Sequence, residues 1–272
     1  MGRSTKIPAG FYNASQAIKR LGVPRSTFYD WVEKGTIKKF VEPGKSDAFY
    51  LKAAVDDLAK ARELFTIQYA ADTTTFEKAK EADVQGIYDL AVSLWGTRGT
   101  YPYEMRLARY KRNPDIFYVL KYMDVVVGYV TFMPVTTKAV EELKTTGKRA
   151  SAIITLDDIL PFTPGETLEY VFLEIAVRDG VPKPKQYGMR LVLGMSDVIE
   201  DFAKRGIKFK KLFGTSRTAD GIEMSQKLGF KESLLPSTEG TLFFELDTET
   251  SHHPLLEGYQ KITRGEGSSN RK

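Results

Sequence analysis

Glu174 lies in the apolar run Leu168 to Val177. Strand alternation places it on one face with Tyr170 and Phe172 and leaves Val171, Leu173, Ile175 and Val177 on the other. A carboxyl flanked by aromatic rings on a central strand loses water, which favours its neutral form and suits it to exchange a proton near neutral pH. With a Lys or Arg beside it, the same group would only brace the sheet. Glu169, nearer the start of the run, is a second carboxyl and is expected to face solvent. Composition removes other chemistries. The 272 residues include no cysteine, which excludes thiolate catalysis and Cys-ligated zinc or iron–sulfur centres and fits a reducing, cytoplasmic setting. The two histidines, His252 and His253, adjoin in a polar stretch and cannot build a His-rich metal site or a buried Ser-His-Asp triad. No metal site is expected.

Glu174 can only be held in place by a sheet, and the hydrophobic pattern supplies one. Strands are expected at 74–78, 116–123, 125–133, 168–177 and 211–215, with a closing pair near 230–235 and 241–247. Helices are expected at 82–95, 103–111, 137–144, 189–205 and 221–228. This alternation implies a mixed sheet with helices on both sides. Residues 136–167 exceed what a hairpin needs, and such an insertion is expected to shape access to a site. Residues 248–272, closing with Arg264-Gly-Glu-Gly-Ser-Ser-Asn-Arg-Lys272, read as a flexible tail. The longest uncharged apolar stretch, Val125 to Thr137, is short and contains Pro134, so neither a membrane span nor a secretion signal is expected.

The first quarter of the chain has a different character. Residues 1–65 hold 12 basic against 7 acidic side chains, and the rest balances at 28 against 28, so the net charge of +5 resides entirely in this part. A module that meets a polyanion would carry such a bias, as would a merely solvated basic surface. Asn13-Ala-Ser-Gln16 has the layout of a capping box, opening a helix from Ala14 to Leu21 that Gly22 ends. Pro24 opens a second helix from Arg25 to Lys34, with Phe28, Trp31 and Val32 inward and Arg25, Ser26, Tyr29, Asp30 and Glu33 outward. A β-hairpin carrying Lys38, Lys39 and Lys45 follows, turning at Glu42 to Asp47, and then a helix from Ala53 to Phe65 with Ala54, Val55, Leu58, Ala61 and Leu64 on one stripe. That last helix either pairs two protomers or packs on its own module.

The run Asn13-Ala-Ser-Gln-Ala-Ile-Lys-Arg-Leu-Gly-Val-Pro-Arg-Ser-Thr-Phe-Tyr-Asp-Trp-Val-Glu-Lys-Gly-Thr-Ile resembles the MerR and excisionase class of winged helix-turn-helix DNA-binding domains, over Tyr12 to Leu58. The resemblance implies a double-stranded DNA partner. Arg25, Ser26, Thr27 and Tyr29 would enter a major groove, while Lys34, Lys38, Lys39 and Lys45 would meet phosphates. A helix-turn-helix that docks on protein is the alternative.

The remainder resembles the GNAT family, the Gcn5-related N-acetyltransferases, in three segments. Leu173-Glu-Ile-Ala-Val177 is similar to the family's fourth strand, which splays from its neighbour and offers Ile175, Ala176 and Val177 backbone groups to the pantetheine arm of acetyl-CoA. Lys185-Gln-Tyr-Gly-Met-Arg190 is similar to the family's pyrophosphate motif, in which main-chain N–H groups at a helix start hold the anion and Gly188 permits close approach. Lys185, Gln186, Tyr187, Gly188, Met189 and Arg190 are therefore the expected cofactor contacts. Gln226-Lys-Leu-Gly-Phe230 is similar to the family's closing motif. Lys185 and Arg190 depart from the usual residues, and Arg190 could obstruct the anion or bind it. Ser225 stands where many members carry the tyrosine that protonates the leaving thiolate, which makes Ser225 and Glu174 the catalytic candidates. Tyr101, Tyr103 and Arg106 fall in the region that borders the family's acceptor site, although aromatics at such spacings also serve as core.

The expected architecture is a winged helix-turn-helix at 1–65, a linker at 66–73, and at 74–247 a GNAT-like α+β or α/β domain with a mixed, mostly antiparallel sheet flanked by helices. The expected function is acetyl-CoA-dependent, or other acyl-CoA-dependent, transfer to an amine acceptor by a DNA-bound protein. The alternative is a DNA-binding regulator whose second domain senses acyl-CoA or dimerises.

Overall fold

The computed structural model describes residues 7–41, 43–44, 46–69, 74–181, 184–233 and 240–265, with backbone alone at 63–69. Contacts divide the chain into two units, Met1–Ala71 and Asp72–Lys272.

In the first unit, β1 (Phe11–Asn13) leads into α1 (Ala14–Leu21) and α2 (Arg25–Glu33). The cap forms as its spacing dictates. Asn13 Oδ1 accepts the Gln16 amide at 2.8 Å, and Gln16 Oε1 accepts the Asn13 amide at 3.1 Å. Gly22, at φ +61°, ends α1 by turning the chain through the left-handed region. A hairpin of β2 (Lys39–Val41) and β3 (Ala48–Leu51) follows, and β1 adds to the other edge of β3. Residues 42 and 45 of its turn lie outside the described residues. Phe28, fully buried, meets the Tyr50 ring edge-on at 4.9 Å and centres a core with Ala17, Leu21, Val23 and Ile37. The last helix, α3 (Lys52–Tyr69), extends past Phe65 into the segment expected as linker. Its buried side is Val55 and Ala59, with Leu58 half-buried, whereas Ala54 and Ala61 are exposed. The side chain of Leu64 lies outside the described residues. The stripe is turned because Asp56 is drawn inward, accepting from Arg20 Nε at 2.8 Å and Tyr12 at 3.2 Å, which fastens α3 to α1 of the same unit.

The second unit is one seven-stranded sheet flanked by helices. Its strands are β4 (Thr74–Lys78), β5 (Phe117–Tyr122), β6 (Val125–Val135), β7 (Thr167–Val177), β8 (Lys208–Ser216), β9 (Lys231–Glu232) and β10 (Leu242–Asp247). They lie in the order β4-β5-β6-β7-β8-β10-β9, and β7 with β8 is the parallel pair. The expected mixed, mostly antiparallel sheet is thus present. β6 continues through Pro134 because β5 has ended at that level, so a missing N–H breaks no ladder between the two. The helices are α4 (Asp83–Trp95), α5 (Tyr103–Arg112), α6 (Thr137–Thr146), α7 (Ala150–Ile153), α8 (Pro184–Lys204) and α9 (Ala219–Lys227), followed by α10 (Glu257–Thr263). Gly194 lets α8 close on the sheet, since a Cβ there would sit 2.3 Å from the Phe76 ring of β4.

The expected tail at 248–272 is corrected over its described part. A 3-10 turn at Pro254–Leu256 and α10 bury Leu255, Leu256 and Tyr259. The Tyr259 hydroxyl accepts the Phe209 amide at 2.8 Å and donates to the Phe209 carbonyl at 2.9 Å, supplying β8 with the partner it lacks before its pairing with β10 begins at Lys211. Among the described residues no helix is long and apolar enough to cross a membrane.

Candidate active site

The site is built where β7 and β8 part. Their paired residues run from Thr167 with Lys208 to Phe172 with Phe213, and no pair is formed beyond, although β7 continues to Val177 and β8 to Ser216. Each arm of this fork is held from its outer side. β6 pairs with β7 as far as Val177, and β10 pairs with β8 as far as Ser216. Among the described residues, main-chain groups on the inner edges of Leu173–Val177 and Gly214–Ser216 are therefore left without a strand partner. Gly214 keeps the root of the fork narrow, because a Cβ there would stand 3.0 Å from the Leu173 carbonyl.

A cavity of about 210 Å³ opens in the fork, lined by Phe172 to Ile175 from β7, Gly214 to Ser216 from β8, and Thr218, Gly221, Met224 and Ser225 from the α9 side. Tyr101 and Arg106 line it from α5 and the loop before it, and Arg149 to Ser151 from the long insertion. Alternation places Glu174 correctly, since Tyr170, Phe172 and Ala176 of the same face enter the core under α4 and α6. Glu174 is half-buried and accepts the Tyr129 hydroxyl at 2.7 Å and, at 3.4 Å, the Thr131 hydroxyl, both through Oε1. Thr131 stands directly opposite Glu174 in the β6–β7 register. Among the described residues no Lys or Arg lies within ion-pair distance of Glu174, while the buried Arg106 guanidinium is close enough to feel its charge. Glu169, by contrast, pairs with Lys210 at 2.8 Å.

Tyr129 is fully buried, and burial first, then the Glu174 charge, push its hydroxyl well above the usual tyrosine range despite Arg106 nearby. The hydroxyl therefore stays a donor to Glu174. Arg106 is 2 % exposed and donates to Thr100 Oγ1 at 2.5 Å, while its Nε has no hydrogen-bond partner. Burial works against its charge, yet the Tyr129 and Glu174 oxygens more than offset this and raise its pKa. Arg109 lies over the Tyr101 ring at 3.4 Å and donates to the Ile154 carbonyl at 2.5 Å. The Tyr101 hydroxyl is buried without a partner at hydrogen-bond geometry, and burial raises its pKa. Tyr103 is half-buried and meets Tyr88 edge-on outside the cavity lining. Sequence pattern does not single out Tyr129, Thr131 or Arg109. The first two lie on the Glu174 face of the neighbouring strand, a position that becomes visible once the register is known.

Ser225 does line the cavity, but its hydroxyl donates to the Gly221 carbonyl at 2.9 Å, one turn back in α9. Ile175 lines the fork, and Ala176 and Val177 continue its β7 arm. The motif at Lys185 to Arg190 needs correction, because α8 opens at Pro184 rather than near Met189. Gly188, Met189 and Arg190 then lie within the helical ladder, and the first-turn amides without an intrahelical acceptor are those of Lys185 and Gln186, both exposed. Tyr187 and Gly188 are buried, and a Cβ at Gly188 would lie 3.5 Å from Met224, the residue through which this helix start adjoins the cavity. Met189 is exposed, and the Arg190 guanidinium donates to the Thr74 hydroxyl of β4.

In the first unit, Arg25, Ser26, Tyr29, Lys34, Lys38 and Lys39 are exposed, and Thr27 is half-buried. Arg25 lies 5.6 Å from the Tyr29 ring centre, and Lys34 pairs with Asp30 at 2.8 Å. Lys45 lies outside the described residues.

No protein-family model matches the chain. No curated protein matches it either. Solved structures do resemble it. An N-acetyltransferase from Staphylococcus aureus Mu50 is 15 % identical over 65 % of this chain and 99 % of its own, with a TM-score of 0.41. The loading GNATL domain of CurA from Lyngbya majuscula is 13 % identical over 65 % of this chain and 98 % of its own, with a TM-score of 0.46. The ribosomal-protein-S18-alanine N-acetyltransferase from Escherichia coli is 14 % identical over 64 % and 94 %, with a TM-score of 0.39. At scores this low the likeness decides nothing, and the fork itself has to carry a functional reading.

Proposed function

We propose that the second unit is a GNAT-type acyltransferase that moves an acyl group from acyl-CoA to an amine, and that the first unit binds duplex DNA. The observation carrying the first part is the fork, where two strands held from outside leave facing main-chain groups over a cavity lined by a carboxylate with one oxygen uncommitted. Such an edge suits the amide groups of a pantetheine arm, and the amides of Lys185 and Gln186 suit a diphosphate.

The thioester of acyl-CoA supplies the activated carbonyl. Amides on the free edge of β7 are available to hydrogen-bond its oxygen as negative charge develops there. Glu174 acts as general base. Its Oε1 is occupied by Tyr129 and Thr131, which fixes the carboxylate and leaves Oε2 to take a proton from the amine. Ser225 spends its proton on the Gly221 carbonyl, so the departing sulfur draws its proton from water or from a rotated Ser225 hydroxyl.

Purified protein incubated with acetyl-CoA and amines, with free CoA measured, tests the reading. Amine-dependent CoA release supports it. Tight acetyl-CoA binding without release favours the second reading, an acyl-CoA sensor, which the self-satisfied Ser225 supports.

A further inference from the structure

Resting on the acyltransferase reading, we propose that the acceptor is a primary amine that also carries a carboxylate, and that the buried Arg106 receives this group. The first observation is charge. Among the described residues the cavity is lined by Arg106 and Arg217, and the adjoining recess, which shares Thr100, Tyr101 and Ser151 with it, adds Arg98. Glu174 is the one carboxylate among the described residues lining either space. A polycationic amine would meet net repulsion there, whereas an amine with a carboxylate brings its own compensation. The same arginines disfavour the protonated ammonium and so favour the neutral, nucleophilic amine.

The second observation is unmet hydrogen-bonding capacity. Arg106 is 2 % exposed and Tyr101 is 7 % exposed, yet among the described residues the Arg106 Nε–H and the Tyr101 O–H find no acceptor, Arg109 being able only to donate to that oxygen, and both residues line the cavity. Buried orphan donors cost stability unless something satisfies them, and a planar carboxylate accepts from a guanidinium and a phenol at once. Thr100 fixes one end of the guanidinium and Arg109 holds the Tyr101 ring, so both donors are preset.

The test uses the full chain with matched amines. Alanine is compared with alaninamide, a peptide beginning with Asp with one beginning with Asn, and cadaverine and phosphoethanolamine are added. Thermal stabilisation in the presence of CoA is read first, and CoA release from acetyl-CoA second. The acid member of at least one pair is expected to stabilise the protein and to react at least tenfold better than its amide; which pair responds separates a free amino acid from a peptide N-terminus. Arg106→Gln should reduce that acid-over-amide ratio at least tenfold, whereas a purely structural loss would lower both members alike. If Arg106→Gln does not fold, Arg217→Glu, an exposed residue of the same lining, should shrink the ratio in the same direction. Equal response to acid and amide, or preference for cadaverine or phosphoethanolamine, overturns the proposal. Stabilisation by the acid without CoA release with any amine would leave the carboxylate site standing and remove the acyltransferase reading.

Discussion

At the scale of single residues, the site depends on a chain of three oxygens. Tyr129 can only donate, because burial and the Glu174 charge keep its proton in place, and Glu174 is thereby held with one oxygen committed and the other available. A general base contributes about 10²- to 10⁴-fold to rate. Glu174→Gln should therefore lower kcat by at least about 10²-fold, the low end of that range. Its affinity for acetyl-CoA, measured by calorimetry, should remain, because in the proposed mechanism the carboxylate serves the amine and not the nucleotide. The Tyr129 shift also has a stability consequence. An unfolded tyrosine ionises near pH 10, while Tyr129 in the folded protein keeps its proton to higher pH, so above that point the unfolded state binds fewer protons and stability falls as pH rises. The contribution is fully present below about pH 10, the unfolded value. Tyr129→Phe should flatten the decline in unfolding free energy between about pH 10 and 11, as followed by urea titration; an unchanged slope would place the ionisation elsewhere.

At the scale of elements, the helices and strands of the second unit follow from the sequence pattern because each carries either one apolar face or, as in β5 and β6, a continuous apolar run. The run Leu168 to Val177 is an example, and alternation along it is enough to put Glu174 on the face of Tyr170, Phe172 and Ala176. What the pattern cannot reveal is register. Nothing in the local sequence around Tyr129 and Thr131 says that they will stand beside Glu174, since that depends on how β6 slides against β7. The start of α8 escapes the pattern for a different reason. Proline is tolerated in a first turn, so Pro184, which reads as loop, is the first residue of the helix, and the unpaired amides are those of Lys185 and Gln186 rather than those of a turn just before Met189. The C-terminal segment reads as a tail because its apolar residues are few, and their value comes from what they cover. Tyr259→Phe, which keeps the ring stacked on Phe209 but removes both hydrogen bonds to its backbone, should cost about 1–3 kcal/mol by leaving the Phe209 amide unsatisfied, the carbonyl keeping the Thr248 hydroxyl. Thermal or urea unfolding reads this directly, and a loss below the error of the method would mean that the Tyr259 hydroxyl adds nothing to the hold of α10.

At the scale of the whole molecule, the charge asymmetry between the units is the feature that a combined function has to explain. If the first unit meets DNA, its affinity should fall steeply with salt, and removing Lys38 and Lys39 together should weaken binding across all sequences and flatten the salt dependence by roughly one unit of slope for each phosphate no longer neutralised. Fluorescence anisotropy with unrelated duplexes checks this, and an unchanged isotherm would remove the hairpin from the interface. The second unit's account depends more narrowly on the open edge between β7 and β8. Amide hydrogen exchange across Leu173 to Val177, with and without acetyl-CoA, tests it most directly. The account predicts that some of these amides slow markedly when the ligand is added, while β7 residues already paired to β8, Leu168 to Phe172, change little. Ligand binding that leaves exchange at Leu173 to Val177 unaltered, or no binding at all, would contradict it.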